Sequence, residues 1–493
     1  PIILAIAVAD SIHFVGANIL KQKISGMDKD SLLVESMKQL FFPCLLTTIT
    51  TSVGFLSLTV SRIPPVKELG VVVGGGVIIA FLVTFIFLPA AIKQFKLFQK
   101  QSNDELDIKV TGKGIFDKRI DGFLEGVGRF NQKFRYIVLS VFLLIVVFSF
   151  WGLSKVKTET SVLEYFKKSS PIYQATTFVE NNLSGVHFLN VSIKAKSLDY
   201  FKEPNSLKNI EKLQSFLKLI PEVDKTTSVV DYIKEINKSF HNEEGEYYRI
   251  PESKELIAQY LLLYGDTDLN DFVDSEWKWT TVSVRLKEHS TTKLRKVIED
   301  INMYLDENFN GNVTAETLGQ TQLEVETNEA VTSGQVQSIV LAMAIIFGMM
   351  FLIFKSLSVG LVSIVPNVLP ILVNFGIMGW MGIRLDSATS MISAIGIGII
   401  VDDTIHFLHE FGENLKGKGD YFLAMNKTLK AKGRPILLTS IVLFFGFGVL
   451  YFSKFVPTSS FGLLSALLMV NALWADLFIL PCLLIVLKPK FKR

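Results

Sequence analysis

Gly398-Ile399-Ile400-Val401-Asp402-Asp403-Thr404-Ile405-His406-Phe407 places two adjacent acids and a histidine inside an otherwise apolar run. Near the start of the chain, Ala9-Asp10-Ser11-Ile12-His13-Phe14 repeats the pattern. On insertion scales a carboxylate at the centre of a spanning helix costs ~2.5–3.5 kcal/mol. A chain that carries such a group in two related segments is therefore read as using it. Further on, Pro43-Cys44-Leu45-Leu46-Thr47-Thr48 matches Pro435-Ile436-Leu437-Leu438-Thr439-Ser440. The pairs Gly54/Gly446, Gly70/Gly462 and Leu88-Pro89/Leu480-Pro481 keep the same offset of 392. One three-helix unit thus occurs twice in the same orientation. Parallel repeats in transporters are related by an axis along the membrane normal, with functional sites at their interface.

Working outward, the 493 residues are 49% hydrophobic and 20% charged, with mean hydropathy +0.38. That composition is too apolar for an ordinary soluble chain and too charged for one wholly in lipid. A spanning helix needs ~20 mostly apolar residues. Nine stretches qualify: 1–20, 40–61, 67–92, 136–154, 336–354, 357–382, 387–410, 435–453 and 460–487. Lys and Arg concentrate in alternate loops, among them Lys93, Lys118, Arg119 and Arg135, then Lys427, Lys430, Lys432 and Arg434, then the tail Lys488–Arg493. By the positive-inside rule these loops are cytoplasmic. The polar stretch 155–333 then lies outside, in the periplasm of a Gram-negative cell.

Expected organisation follows: 1–92, the end of a first transmembrane repeat; 93–135, a cytoplasmic linker; 136–154, the first helix of the second repeat; 155–333, an extracytoplasmic domain; 334–487, five further helices; and 488–493, a basic tail. Within the domain, Val191–Ala195 and Val282–Leu286 alternate as strands. Each is followed by a helical pattern, near 205–219 and 291–308, and by a short apolar stretch, near 223–230 and 312–318. This predicts an α+β fold with two ferredoxin-like βαβ halves. The fold class expected is a polytopic α-helical membrane protein with a parallel internal repeat plus that domain. Pro1 opens the chain inside an apolar segment, and the sequence reads as lacking an N-terminal part.

The proton-relay candidates are Asp10, His13, Asp402, Asp403 and His406. Spacing of three sets Asp10 beside His13 and Asp403 beside His406, and a carboxyl balanced between apolar surroundings and an imidazole can take a proton from one side and release it to the other. Supporting candidates are the hydroxyls Thr47, Thr48, Thr439 and Ser440, which could instead satisfy their own helices, and Asp476, whose repeat partner is Thr84. Gly396 and Gly398 predict close approach of the two acidic helices. Other chemistry lacks its residues. Cys44 and Cys482 form no disulfide or metal spacing. His406-Phe407-Leu408-His409-Glu410 lacks the order of a metalloprotease motif, and no glycine-rich loop with a lysine supports ATP hydrolysis. No metal, cofactor or nucleic acid is expected, only protons as coupling ion.

Gly398–His406 resembles the acidic motif on the tenth helix of resistance–nodulation–division (RND) transporters, and Ala9–His13 its counterpart on the fourth. Pro366-Asn367-Val368-Leu369-Pro370, followed by Gly376, Gly379 and Gly382, is similar to the family's ninth helix, and Leu480-Pro481 to the end of its twelfth. The resemblance implies helices four to twelve and the second periplasmic domain of a secondary active transporter, not an enzyme. It implies export of hydrophobic or amphiphilic molecules from the inner membrane, driven by the proton-motive force. Drug-efflux members pair helix-four aspartates with a helix-ten lysine, whereas this chain has Asp402-Asp403 there and no lysine in that span. That departure, with the short periplasmic stretch, points to the lipid-exporter branch (MMPL), with a lipid-like substrate and the oligomeric state, a homo-oligomer or a monomer, left open. The alternatives are a sterol-sensing or receptor-like membrane protein and a secretion accessory motor of the same fold.

Overall fold

The computed structural model describes residues 3–4, 6–8, 11–12, 14–15, 29–95, 115–158, 161–264 and 269–491. The chain divides into two compact units, one formed by residues 1–158 and 330–493, the other by residues 159–329.

In the first unit, eight described helices are long and apolar enough to cross a membrane. In chain order they lie on α1 (Lys29–Leu56), α2 (Pro64–Gln94), α3 (Ile115–Leu153), α9 (Gln320–Phe354), α10 (Leu357–Met381), α11 (Ser387–Lys418), α12 (Tyr421–Gly448) and α13 (Val456–Trp474), the last continuing through a π-helical turn (Ala475–Ile479) into α14 (Leu480–Leu487). The expected first span, 1–20, falls largely outside the described residues.

Burial separates centre from periphery. In α11, 83% of the most apolar window is buried, against 11% in α3. Such a difference is set by sequence. α11 carries Ser387, Ser390, Ser393, Gly396 and Gly398, which permit close neighbours, whereas the outer face of α3 is Ile137, Val141, Leu144 and Phe148. α11 is held at its start by Asp386, whose carboxylate accepts from the backbone N–H of Ala388 and Thr389 at 2.9 and 2.8 Å, while the Thr389 hydroxyl accepts from the Asp386 N–H. This reciprocal cap satisfies donors that the first helical turn leaves open. Beyond the last turn, Gly419 sits at φ +67°, a left-handed stop that glycine adopts without strain. Where α3 and α10 end, Phe148 stacks on Trp380 and the Lys155 ammonium lies 3.7 Å from that indole, the aromatic and cationic composition of a membrane–water boundary.

The duplication is visible in detail. A 3₁₀ turn, Ser57–Val60, joins α1 to α2, and another, Val449–Phe452, joins α12 to α13, again 392 residues on. A Cβ built on Gly70 would lie 2.7 Å from the Phe55 carbonyl oxygen; one on Gly462 would lie 2.8 Å from the Phe447 carbonyl oxygen. The repeats part company in their last helix. α2 stays α-helical through buried Thr84, while the corresponding stretch opens into the π-helical turn that carries Asp476.

The second unit holds α4 (Pro171–Asn182), β1 (His187–Ala195), α5 (Pro204–Leu217), β2 (Val223–Thr227), α6 (Val229–Ser239), α7 (Lys254–Tyr264), β3 (Trp279–Leu286), α8 (Thr291–Asn308) and β4 (Val313–Leu318). Both strands read from alternation are present, each longer at its N-terminal end. Leu189, Val191, Ile193, Val282, Val284 and Leu286 are fully buried and pack against Leu207, Ile210 and Leu213 of α5 and Leu294, Val297 and Ile301 of α8. The sheet order is β2-β3-β1-β4, every neighbour antiparallel. The two strand–helix–strand units read from the sequence, β1-α5-β2 and β3-α8-β4, are both present. The two strand–helix–strand units interleave into one four-stranded sheet, because neither pair of strands alone buries enough apolar surface to stand as its own layer.

Candidate functional site

Asp402 and Asp403 lie midway along α11, the most enclosed helix. Asp403 is 9% exposed, His406 1% and the Asp402 side chain 14%. Successive residues on a helix point about 100° apart, so the two carboxyls face different neighbours. Thr47 of α1 stands beside Asp402, and Thr439 of α12 beside Asp403. These threonines are repeat equivalents, and the aspartate pair therefore stands between matched hydroxyls from the two repeats. Each hydroxyl also lies 3.0 Å from a carbonyl of its own helix, Thr47 from Cys44 and Thr439 from Ile436. A hydroxyl has one proton and two acceptor positions. It can donate to an ionised carboxylate, or donate to its own helix while accepting from a protonated carboxyl. The arrangement fits both protonation states.

His406 Nε2 is 3.4 Å from Asp402 Oδ1, one turn earlier. The sequence expectation paired His406 with Asp403 at a spacing of three; the charge contact seen runs at a spacing of four, to Asp402. Both spacings put side chains on one helical face. Thr404, fully buried, donates to Asp476 Oδ1 at 2.8 Å and lies 3.3 Å from Asn367 Oδ1 on α10. Asp476 is 0% exposed, and its Oδ2 has no hydrogen-bonding partner among the described residues. The π-helical turn that bears Asp476 also frees the Leu477 carbonyl, which accepts from Asn131 Nδ2 of α3 at 2.7 Å. Such turns interrupt the regular ladder and recur at functional sites.

Thr48 donates to the Cys44 carbonyl at 2.7 Å and so serves its own helix; Ser440 is buried. Asp10 and His13 lie outside the described residues. Gly398 packs against α1, where the Thr51 hydroxyl donates to its carbonyl at 2.7 Å, and Gly396 meets Leu468 of α13. Among the described residues, the close contacts of these glycines are thus to α1 and α13. Sequence reasoning passed over Thr404 and Asn367, although Thr404 lies inside the quoted motif and Asn367 is a lone amide in an apolar helix. Lys432, used in the sequence reading only to orient the loops, lies on α12 with its side chain largely buried, 4.0 Å from Glu410 of α11.

MJ1562 of Methanocaldococcus jannaschii, whose name describes a membrane protein, is 21% identical over 382 residues, covering 75% of this chain and 96% of that one. The structure of the hedgehog release protein Disp from the water bear Hypsibius dujardini superposes with TM-score 0.63 at 14% identity. It covers 99% of this chain, which spans 63% of the water-bear protein's length. That likeness is one of fold. Residues 208–491, more than half of the sequence, match the MMPL family, and with eight candidate spans among the described residues the molecule is a multi-pass membrane protein of RND type. The chain belongs to the MMPL family.

Proposed function

We propose that the protein exports hydrophobic or amphiphilic, lipid-like molecules across a cytoplasmic membrane, driven by the proton-motive force, with residues 159–329 on the outer side. The observation that carries this reading is the Asp402–Asp403 pair, enclosed on the central helix and flanked by equivalent threonines from both repeats. Carboxyls in a membrane interior are costly and mark ion pathways. A proton crossing ~100 mV releases ~2.3 kcal/mol. That is enough to bias a two-state rearrangement of α11 against its neighbours by roughly fifty-fold. The substrate class is supported by family membership and by an apolar groove of about 290 Å³ between α3 and α10, walled by Val141, Phe148, Ile377 and Trp380. A groove so poor in polar groups suits a hydrocarbon chain better than a polar solute. The outward direction is supported by the description of the water-bear relative as a release protein.

The test uses the full-length protein in vesicles with an imposed pH gradient, comparing wild type with Asp402→Asn/Asp403→Asn. Dissipation of the gradient by wild type and not by the folded double variant is expected. Identical traces would overturn the proton-coupled reading and favour a sterol-sensing or receptor-like role.

A further inference from the structure

Between α10, α11 and α13 lies a small cavity of about 10 Å³, walled by Ile371, Asn374, Thr389, Ser393 and Leu468 among others. Asn374 is 4% exposed, and its Oδ1 has no hydrogen-bonding partner among the described residues. A buried amide left unpaired is costly, and folded proteins serve such groups with other protein atoms or with water. The cavity is about the size of one water molecule, which needs two to four polar partners. Three polar side chains, Asn374, Thr389 and Ser393, line it. The Ser393 hydroxyl donates to the Ser390 carbonyl at 3.3 Å, and a hydroxyl that donates in this way still accepts. Water both donates and accepts, so it serves the Asn374 amide whichever end points inward. No charged side chain lines the cavity, and an ion would find no counter-charge there.

Helix geometry connects this cavity to the acids. Asn367 precedes Asn374 by seven residues on α10, and Thr404 follows Ser393 by eleven on α11. At 3.6 residues per turn these are about two and three whole turns, so each pair shares one face of its helix. The seam between α10 and α11 thus carries two polar stations, roughly 10 Å or more apart along the helices. The inner station reaches an acid directly: Thr404 donates to Asp476 Oδ1 at 2.8 Å and lies 3.3 Å from Asn367 Oδ1. On α13, Asn471 stands between Leu468 and Asp476 and buries an Nδ2 that has no partner among the described residues. The outer station lies toward the start of α11, where the Leu385 N–H donates to the Lys157 carbonyl and the chain passes into residues 159–329.

We propose that the cavity binds a single water molecule, held by Asn374 and Ser393, as the outer station of the route by which protons reach Asp476 and the aspartate pair. The water takes a proton on one side and gives one up on the other, and is itself unchanged. Ile371, Ile397 and Ile400, all buried, fall between the two stations by the same spacing. They close the route in this arrangement until the seam opens. The route rests on the proton-coupled reading; the bound water does not.

The test uses the full-length protein, with an electron-microscopy map that resolves ordered water and with proton flux in vesicles. The proteins compared are wild type, Asn374→Leu, Ser393→Val and Asn374→Ser. Wild type is expected to show density within hydrogen-bonding reach of Asn374 and Ser393, and Asn374→Leu to lack it. Asn374→Leu puts an apolar side chain of similar size against the cavity, so flux should fall roughly tenfold or more, in line with the loss of a hydrogen-bonded step. Ser393→Val makes the same block from α11 should Asn374→Leu fail to fold. Asn374→Ser keeps a hydroxyl, leaves room for a further water and should retain flux. A dry cavity in wild type overturns the water site. Wild-type flux that neither Asn374→Leu nor Ser393→Val slows overturns the route alone. A wild type without flux overturns the transport reading and the route with it, while the map still decides the water.

Discussion

Thr47 and Thr439 are equivalent by sequence, yet each stands beside a different carboxylate while donating to a carbonyl of its own helix. The two roles separate experimentally. If the hydroxyl matters only to its helix, Thr→Val and Thr→Ser alike leave proton flux unchanged. If it follows the protonation state of the acid, Thr47→Val or Thr439→Val slows flux by roughly tenfold or more, in line with ~1.5–3 kcal/mol for a hydrogen bond to a charged group, while Thr→Ser retains it. Flux in vesicles decides, and we expect the second pattern. Asp476→Asn keeps an acceptor for Thr404 in place of the carboxylate. It should leave the fold intact and reduce flux less than Asp403→Asn, as judged by flux together with the melting temperature in detergent. At this scale the site was legible where composition broke the apolar pattern, as at Asp402, Asp403 and His406. It was illegible where the partner is set by rotation about the helix. Spacing alone cannot distinguish His406 reaching Asp403 from His406 reaching Asp402, nor reveal that Thr404 turns toward Asp476 and Asn367.

Helix–3₁₀–helix is the element that the duplication preserves, and the glycine just inside each second helix explains how. At Gly462 a Cβ would stand 2.6 Å from Leu450 Cβ and 2.8 Å from the Phe447 carbonyl oxygen; at Gly70, 2.7 Å from the Phe55 carbonyl oxygen. Backbone cannot give way as a flexible side chain can. Gly462→Ala and Gly70→Ala should therefore each destabilise the membrane unit by about 1–3 kcal/mol. Gly446, next to which nothing lies within 4 Å, should accept alanine with no loss, and with up to about 1 kcal/mol gained from helix propensity. Thermal unfolding of the three variants in one detergent is the check, and equal losses at all three sites would refute the close-packing account. The repeat was readable because identical punctuation recurs at a fixed offset. The π-helical turn at Ala475–Ile479 was not, since its cause is tertiary: the Leu477 carbonyl is taken by Asn131 of α3, 346 residues away. Strand ends were missed for a related reason. His187–Asn190 pair with Ser283–Leu286, and Trp279–Thr281 with Ser192–Lys194, so their extended form comes from cross-strand pairing and not from local alternation.

Across the whole molecule, two units with separate cores meet different solvents, and their responses to acid should differ. Under the proposed function, residues 159–329 face the proton-rich side. There the Asp224 carboxylate is paired with the Lys287 ammonium at 2.7 Å and accepts the Gly185 N–H at 2.8 Å, and these contacts, the lysine first, hold its carboxyl below the usual range. Lys202 does the same for Asp199. A carboxyl whose folded value is depressed stabilises the fold above its unfolded value of ~3.9 and loses that contribution as pH falls through the folded value. The sheet-bearing unit should therefore keep its carboxylate-derived stability from neutrality down to about pH 5 and lose it progressively below about pH 4. Asp224→Asn should cost about 1 kcal/mol or less at neutral pH, as half-exposed pairs do, and the difference from wild type should vanish in strong acid. Trp277, 4% exposed in the core of this unit, offers the readout, with Trp277→Phe identifying its share of the fluorescence. A gap between Asp224→Asn and wild type that stays constant down to pH 2 would mean that the aspartate acts through packing and not through its charge. Long apolar runs give way to alternating strands where the first unit passes to the second. The single interleaved sheet is not legible in that pattern, because pairing β1 with both β3 and β4 joins segments about 90 and 120 residues apart, a choice made by burial of the whole layer.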